Sequence, residues 1–322
     1  MSKIILRAAA IAVLWTQFPG VASASYPERA ITLIVPFAPG GPTDAIARIV
    51  SVAFQRSMGQ SVIVENRGGA GGNIGMQSVA RAAPDGYTLL LASTAIAVNP
   101  ALSRNIGYDP IKDFAPISEL VTTTNVFVVH PRTGMKTIAD LRSRANAAPA
   151  TFNFSSPGVG TKAHLAGAQL KLVANIDMAH VPFRGAGPAT LAVLDNSVHL
   201  GATSLVAAEG LIRDGQLTAL AVTSAKRWFS LPDIPNLIEQ GFPEFVADTF
   251  SALLAPARTP PEILARLVSE TQAAMNAPDA RAQAQKVGFE IVAGTPEELG
   301  KRIVRESEQV RDLVAKIGLK PE

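Results

Sequence analysis

Three stretches of the chain share one design: strand-forming residues that turn through glycine straight into a helical pattern. The first is Val35-Pro36-Phe37-Ala38-Pro39-Gly40-Gly41-Pro42-Thr43-Asp44. Glycine lets a ligand approach the main chain closely, Pro42 suits the first position of a helix, and uncapped amides at a helix start favour a negative group. A carboxylate fits such a turn. The same residues equally support a tight turn in which Asp44 itself bonds the first-turn amides.

The second stretch runs from Thr151-Phe152-Asn153-Phe154-Ser155-Ser156 into Pro157-Gly158-Val159-Gly160-Thr161, with a helix from Lys162. Ser155, Ser156 and Thr161 add hydroxyl donors, which can satisfy a carboxylate in a partly dry cleft without the flexibility of lysine. His164 lies one turn into that helix; it could donate to an anion, although a lone helical histidine is more often a packed residue. The third stretch, Val181-Pro182-Phe183-Arg184-Gly185-Ala186-Gly187-Pro188, adds a guanidinium able to grip a carboxylate with two prongs. The glycine-rich residues 67–75 also precede a helical pattern.

Other chemistries find less support. Gly158-Val159-Gly160-Thr161-Lys162-Ala163 matches a dinucleotide-binding pattern with Asp177 about 20 residues on. Yet Asp177 precedes the next strand pattern where that motif needs it at the strand's end, and Pro157 interrupts the approach. There is no G-x-S-x-G elbow, phosphate-binding P-loop or H-E-x-x-H helix. His130, His164, His180 and His199 have no metal-ligand spacing, and the absence of cysteine excludes disulfides and thiol nucleophiles. No cofactor is implied. The 29 basic residues against 26 acidic include Lys3 and Arg7 in a segment expected to be removed, so no net field remains to hold nucleic acid or an anionic membrane.

That segment has a basic start, apolar residues 8–15 and Ala22-Ser23-Ala24, the pattern of an export signal cleaved after Ala24. The apolar stretch breaks at Gln17 and Pro19, well short of the roughly 20 residues that span a bilayer. The exported chain is expected to be soluble.

The elements that must position these turns follow an α/β rhythm. Strand patterns at 31–37, 61–65, 87–93, 125–130, 151–155, 178–183 and 217–223 alternate with helical segments. Several are almost wholly apolar, as in strands of a largely parallel sheet covered on both faces. Thr259-Pro260-Pro261-Glu262 and Thr295-Pro296-Glu297-Glu298 read as helix starts with threonine caps. With 322 residues, the chain exceeds the roughly 250–300 at which single cores stop growing, so two lobes are expected. The crossings fall at 122–131 and 217–226, giving a first lobe of 25–123 plus 225–322 and a second of 124–224.

The motifs Ile34-Val35-Pro36-Phe37-Ala38-Pro39-Gly40-Gly41, Val64-Glu65-Asn66-Arg67, Gly71-Gly72-Asn73-Ile74-Gly75, Pro84-Asp85-Gly86-Tyr87-Thr88, His180-Val181-Pro182-Phe183-Arg184-Gly185 and Leu220-Ala221-Val222-Thr223-Ser224-Ala225-Lys226-Arg227 occur in order. Together they resemble the Bug family, the extracytoplasmic solute receptors of tripartite tricarboxylate transporters. The resemblance spans essentially the whole exported chain. It implies a monomeric two-lobed periplasmic-binding-protein fold that closes on a small carboxylate and hands it, unaltered, to a membrane permease. It also implies ligand contacts, some through water, from the loop containing Phe37, Ala38, Gly40, Gly41, Thr43 and Asp44. Further contacts are implied from Ser93, Thr94, Ser155, Ser156, Gly158, Thr161 and Arg184, with His164 and Gly185 alongside. Many relatives carry Phe-Asp-Asn where this chain has Ala202-Thr203-Ser204. Losing that aspartate argues against an amino-acid ligand and for a dicarboxylate or a neutral-tailed acid. A sensory receptor subunit and an exported carboxylate-acting enzyme are the alternative readings.

Overall fold

The computed structural model describes residues 26–103, 105–148, 151–316 and 318; the expected signal segment lies outside them. Chain order begins with β1 (Ile31–Val35), α1 (Pro42–Met58), β2 (Val62–Asn66), α2 (Asn73–Ala80), β3 (Thr88–Ser93), α3 (Ala95–Leu102) and β4 (Phe114–Thr123). The chain then crosses into β5 (Asn125–Val129), α4 (Ile138–Ala147), β6 (Asn153–Ser156), α5 (Lys162–Val173), β7 (Ala179–Pro182), α6 (Ala186–Leu194), β8 (Leu200–Ser204), α7 (Leu205–Arg213) and β9 (Thr218–Val222). It returns with β10 (Thr249–Pro256), α8 (Pro261–Asn276), α9 (Pro278–Lys286), β11 (Glu290–Ile291) and α10 (Pro296–Lys316).

Two sheets result, ordered β11-β4-β10-β3-β1-β2 and β7-β6-β8-β5-β9, one in each lobe. The apolar runs are buried on both faces because side chains alternate. In β1, Ile31, Leu33 and Val35 enter one core cluster and Ile34 the opposite one; Leu89 and Leu91 of β3 likewise face away from Leu90 and Ala92. In the second lobe Phe127 and Val129 of β5 pack on one side, Val126 and Val128 on the other. α1 repeats the logic at helical spacing, burying Ile46, Val50, Phe54 and Met58 before Gly59 ends it in the left-handed conformation at φ 71°.

Two features differ from the sequence expectation. The parallel pairing is confined to β2-β1-β3 and β7-β6-β8; β10 pairs antiparallel with both β3 and β4, and β5 antiparallel with β8 and β9. Apart from the short β11, which pairs antiparallel with β4, the reversals involve β4, β5, β9 and β10, the strands that carry the chain to and from the crossings. The return crossing also comes later than residue 224. Leu237, Phe245 and Ala247 belong to a second-lobe core cluster, the Leu237 amide donates to the Val222 carbonyl, and the Ala247 amide donates to the Thr223 carbonyl. Residues 225–248 thus pack with the second lobe, and the chain passes back just before β10.

Thr295 forms the expected capping box, its hydroxyl accepting from the Glu298 amide while Glu298 accepts from the Thr295 amide. Thr259 does not cap α8: its hydroxyl donates to the Pro256 carbonyl, leaving Pro260 at the N-cap.

Candidate functional site

A cavity opens between the lobes and is lined by residues of both. Its wall is made where helices begin. Gly41, Pro42 and Thr43 bring the start of α1; Ala95 is the first residue of α3; Thr161, Lys162 and Ala163 open α5; Ala186 opens α6; Ser204 is the N-cap of α7. α1 and α3 belong to the first lobe and α5, α6 and α7 to the second. The N-cap residues of α1, α6 and α7 make no side-chain cap bond. Thr161 Oγ1 accepts from the His164 amide of α5, Ser93 Oγ from the Ala95 amide of α3 and the Thr124 carbonyl from the Leu205 amide of α7; each start still points the positive end of a helix dipole at the cavity, so their sum favours negative charge between the lobes.

The side chains complement that field. No acidic residue lines the cavity among the described residues, and Lys162 is the one charged side chain there; its ammonium lies 2.9 Å from Glu306 Oε2. Ser204 Oγ is buried with no hydrogen-bond partner. A buried hydroxyl without a partner is uncommon, and this one stands on the cavity wall with its donor unused. Asn125 and Thr249, from the two crossings, complete the polar wall; Asn125 Nδ2 donates to Thr249 Oγ1 and to the Ala247 carbonyl.

Of the residues singled out from sequence, Phe37, Gly41, Thr43, Ser93, Thr161 and Ser204 line this cavity. The others stand behind it or beside it. Asp44 is turned inward, accepting from the Gly40 amide, Arg48 and Asn66. Burial raises its carboxyl, but those hydrogen bonds more than offset burial and hold it below the usual carboxylate range. Asp44 therefore fixes the turn, and Asn66, which also donates to the Phe37 carbonyl, braces it from β2. Thr94 Oγ1 accepts from the Phe250 amide. Ser155 Oγ donates to the Ala189 carbonyl, and Thr203 Oγ1 meets Thr190 Oγ1 and the Ala186 carbonyl. These two hydroxyls hold α6 in place and do not enter the cavity. Ser156 Oγ donates to the Gly158 carbonyl and lies 2.6 Å from His180 Nε2; the same carbonyl accepts from Thr161 Oγ1.

Two of the candidate residues lie off the cavity. The Arg184 side chain is exposed and does not line the cavity; what Arg184 contributes is its carbonyl, which accepts from the Ala38 amide across the cleft at 3.0 Å. His164 is packed behind the wall, its ring stacked on His180 with centroids 4.2 Å apart, and burial lowers it to about 4. A neutral imidazole there offers the anion no charge.

Gly185 sits against Ala38, where a Cβ would come within 3.3 Å of the Ala38 amide nitrogen. A Cβ on Gly71 would lie 1.8 Å from the Val159 carbonyl oxygen, so the glycine stretch 67–75 closes directly on the Gly158–Gly160 turn. The glycines that mimic a dinucleotide loop thus serve the approach of one lobe to the other, and Asp177 is exposed at 3.7 Å from Lys171. Among the described residues no group of three or more histidine, aspartate or glutamate side chains could hold a metal ion, and no helix is long and apolar enough to cross a membrane.

Sequence reasoning missed Pro42, Ala95, Asn125, Pro157, Lys162, Ala163, Ala186 and Thr249 as cavity residues. Ala95 and Ala186 follow flagged turns and could have been found there; Asn125 and Thr249 carry no local motif.

The family model described as tripartite tricarboxylate transporter family receptor matches residues 46–319. The solved structure of the periplasmic binding protein BugD is 32% identical with a TM-score of 0.89, covering 92% of this chain and 100% of that one. Rpa4515 of R. palustris, solved with adipate, is 30% identical with a TM-score of 0.89 over 92% and 100% of the two chains. MatC from Rhodopseudomonas palustris, solved with bound malate, is 29% identical with a TM-score of 0.85 over 90% and 100%.

Proposed function

The chain belongs to the tripartite tricarboxylate transporter receptor family, and on that premise we propose that it captures a small dicarboxylate between its lobes in the periplasm and passes it unchanged to a membrane permease. The observation that carries this reading is the convergence of five helix starts from both lobes on one cavity with no acidic lining among the described residues. One carboxylate lies against the amides of α1 and α5, directly or through bound water, which joins a carboxylate to an amide almost as well as direct contact. Ser204 adds a neutral donor. Because both lobes supply donors, the ligand binds the closed arrangement better than the open one and shifts the population toward closure.

The same lining disfavours amino acids. An ammonium group in the cavity would meet helix starts of its own sign and no carboxylate, and Thr203 faces α6. Adipate and malate, bound by two proteins of similar structure, support a ligand of that class. Titration calorimetry with malate, adipate and citrate against glutamate and aspartate tests the reading. Binding of at least one of the first three, with none for the amino acids, supports it. Tight glutamate or aspartate binding with none for the others, or a new compound in the NMR spectrum of ligand and protein after prolonged incubation, overturns it.

A further inference from the structure

α5 joins the lobes by its flank as well as lining the cavity by its first turn. Lys162, its first residue, reaches Glu306 on α10 at 2.9 Å, with the two side chains only 11% and 12% exposed. Leu165, three residues on and therefore on the same helix face, is fully buried in a cluster with Val98 and Leu102 of α3 and Val310 and Val314 of α10. Glu306 and Val310 are likewise one turn apart on one face of α10. A charged contact and an apolar knob from a second-lobe helix thus dock side by side on two helices of the first lobe. Neither Leu165 nor any α10 residue lines the cavity.

We propose that this α5–α10 contact is a closure latch, in which Glu306 and Leu165 are positioning residues that set how much of the population is closed, and so how tightly ligand is held, without touching ligand. The physical reason is that opening exposes an apolar socket, a cost specific to the open state, while loss of either partner of the ion pair leaves the other nearly buried and unpaired in the closed state alone. A ligand binding only the closed state has an apparent Kd equal to its intrinsic Kd divided by the closed fraction. The affinity arm rests on the receptor function proposed above; the closure arm does not.

The natural absence of cysteine makes the test direct. Ser57→Cys and Arg142→Cys place spin labels on exposed positions of the first and second lobes, and pulsed electron-resonance distances read closure in the full chain without ligand. Glu306→Gln and Leu165→Ala, each in that background, are expected to move the distribution toward longer, open distances. Their apparent Kd for malate or adipate, whichever the parent binds, is expected to rise about tenfold if the closed fraction falls about tenfold. The reversed pair Lys162→Glu with Glu306→Lys is expected to restore the short distances lost in Lys162→Glu alone, a recovery that loss of local packing would not produce. Distributions unchanged in both Glu306→Gln and Leu165→Ala, or no recovery in the reversed pair, overturn the latch. A parent that binds neither acid counts against the function proposed above while leaving the distance measurement decisive for the latch.

Discussion

Gly41→Asp separates the structural role of the α1 turn from its binding role. Gly41 is the N-cap of α1 at φ −91° and ψ 175°, a conformation open to any residue, and a Cβ there would meet nothing closer than 3.8 Å from Ala186. Aspartate therefore fits, and as an N-cap it accepts from the first-turn amides, so stability should stay within a few tenths of a kcal/mol of the parent. The same carboxylate occupies the donors assigned to the ligand and faces the ligand's charge. Two like charges about 4 Å apart at an effective dielectric near 20 repel by about 4 kcal/mol, roughly a thousandfold in Kd. Gly41→Ala should show the converse: alanine is the poorer cap and costs roughly 1 kcal/mol of stability, yet it removes no amide and should bind nearly as the parent does. Thermal unfolding and calorimetry with malate and adipate read both quantities. If Gly41→Asp unfolds like the parent and still binds within about tenfold of it, the anion is not at the start of α1 and the reasoning fails.

Ser204→Ala removes the partnerless cavity hydroxyl, so it should weaken carboxylate binding by roughly 10- to 100-fold, the worth of a hydrogen bond to a charged group, without lowering thermal stability; calorimetry and a melting curve check both halves. Arg184→Ala should change Kd less than about threefold at moderate salt, because the guanidinium is exposed and outside the cavity; a loss of tenfold or more would place it on the ligand. Burial lowers His164 from 6.5 to about 4, so the unfolded chain takes up that proton first. The stability carried by its neutral form is complete above about pH 6.5 and is lost as pH falls toward 4, on the order of 1–3 kcal/mol. His164→Phe should therefore flatten the acid side of the melting-temperature profile, in part only, since His180 shifts in the same direction to about 3.

The local sequence carried much of this fold where local physics decides. β1 and β3 read as doubly covered strands because their apolar residues run without a break, and Thr295 with Glu298 spells its own capping box. β4 was not legible: Pro116 and Glu119 argue against a strand, and its pairing with β10 and β11 overrides that preference. The return crossing was placed early because 225–248 has little regular structure, and only Leu237, Phe245 and Ala247, through their packing, show which lobe owns it. At the site, the turns around Gly41 and Thr161 were legible from glycine, proline and hydroxyl placement. Hydroxyl direction was not: whether Ser155, Thr203 and Ser204 face helix or cavity depends on strand register and on the helix behind. Arg184 misled for a related reason, since its turn lies at the cleft while its side chain leaves it.

The most direct test is a crystal structure of the chain grown with saturating malate or adipate. The account predicts the unaltered acid in the cavity between the sheets, with carboxylate oxygens within hydrogen-bonding reach, directly or through one water, of first-turn amides of α1 and α5 and of Ser204 Oγ. An acid bound elsewhere with the cavity holding only solvent, or density for a converted product, would contradict it.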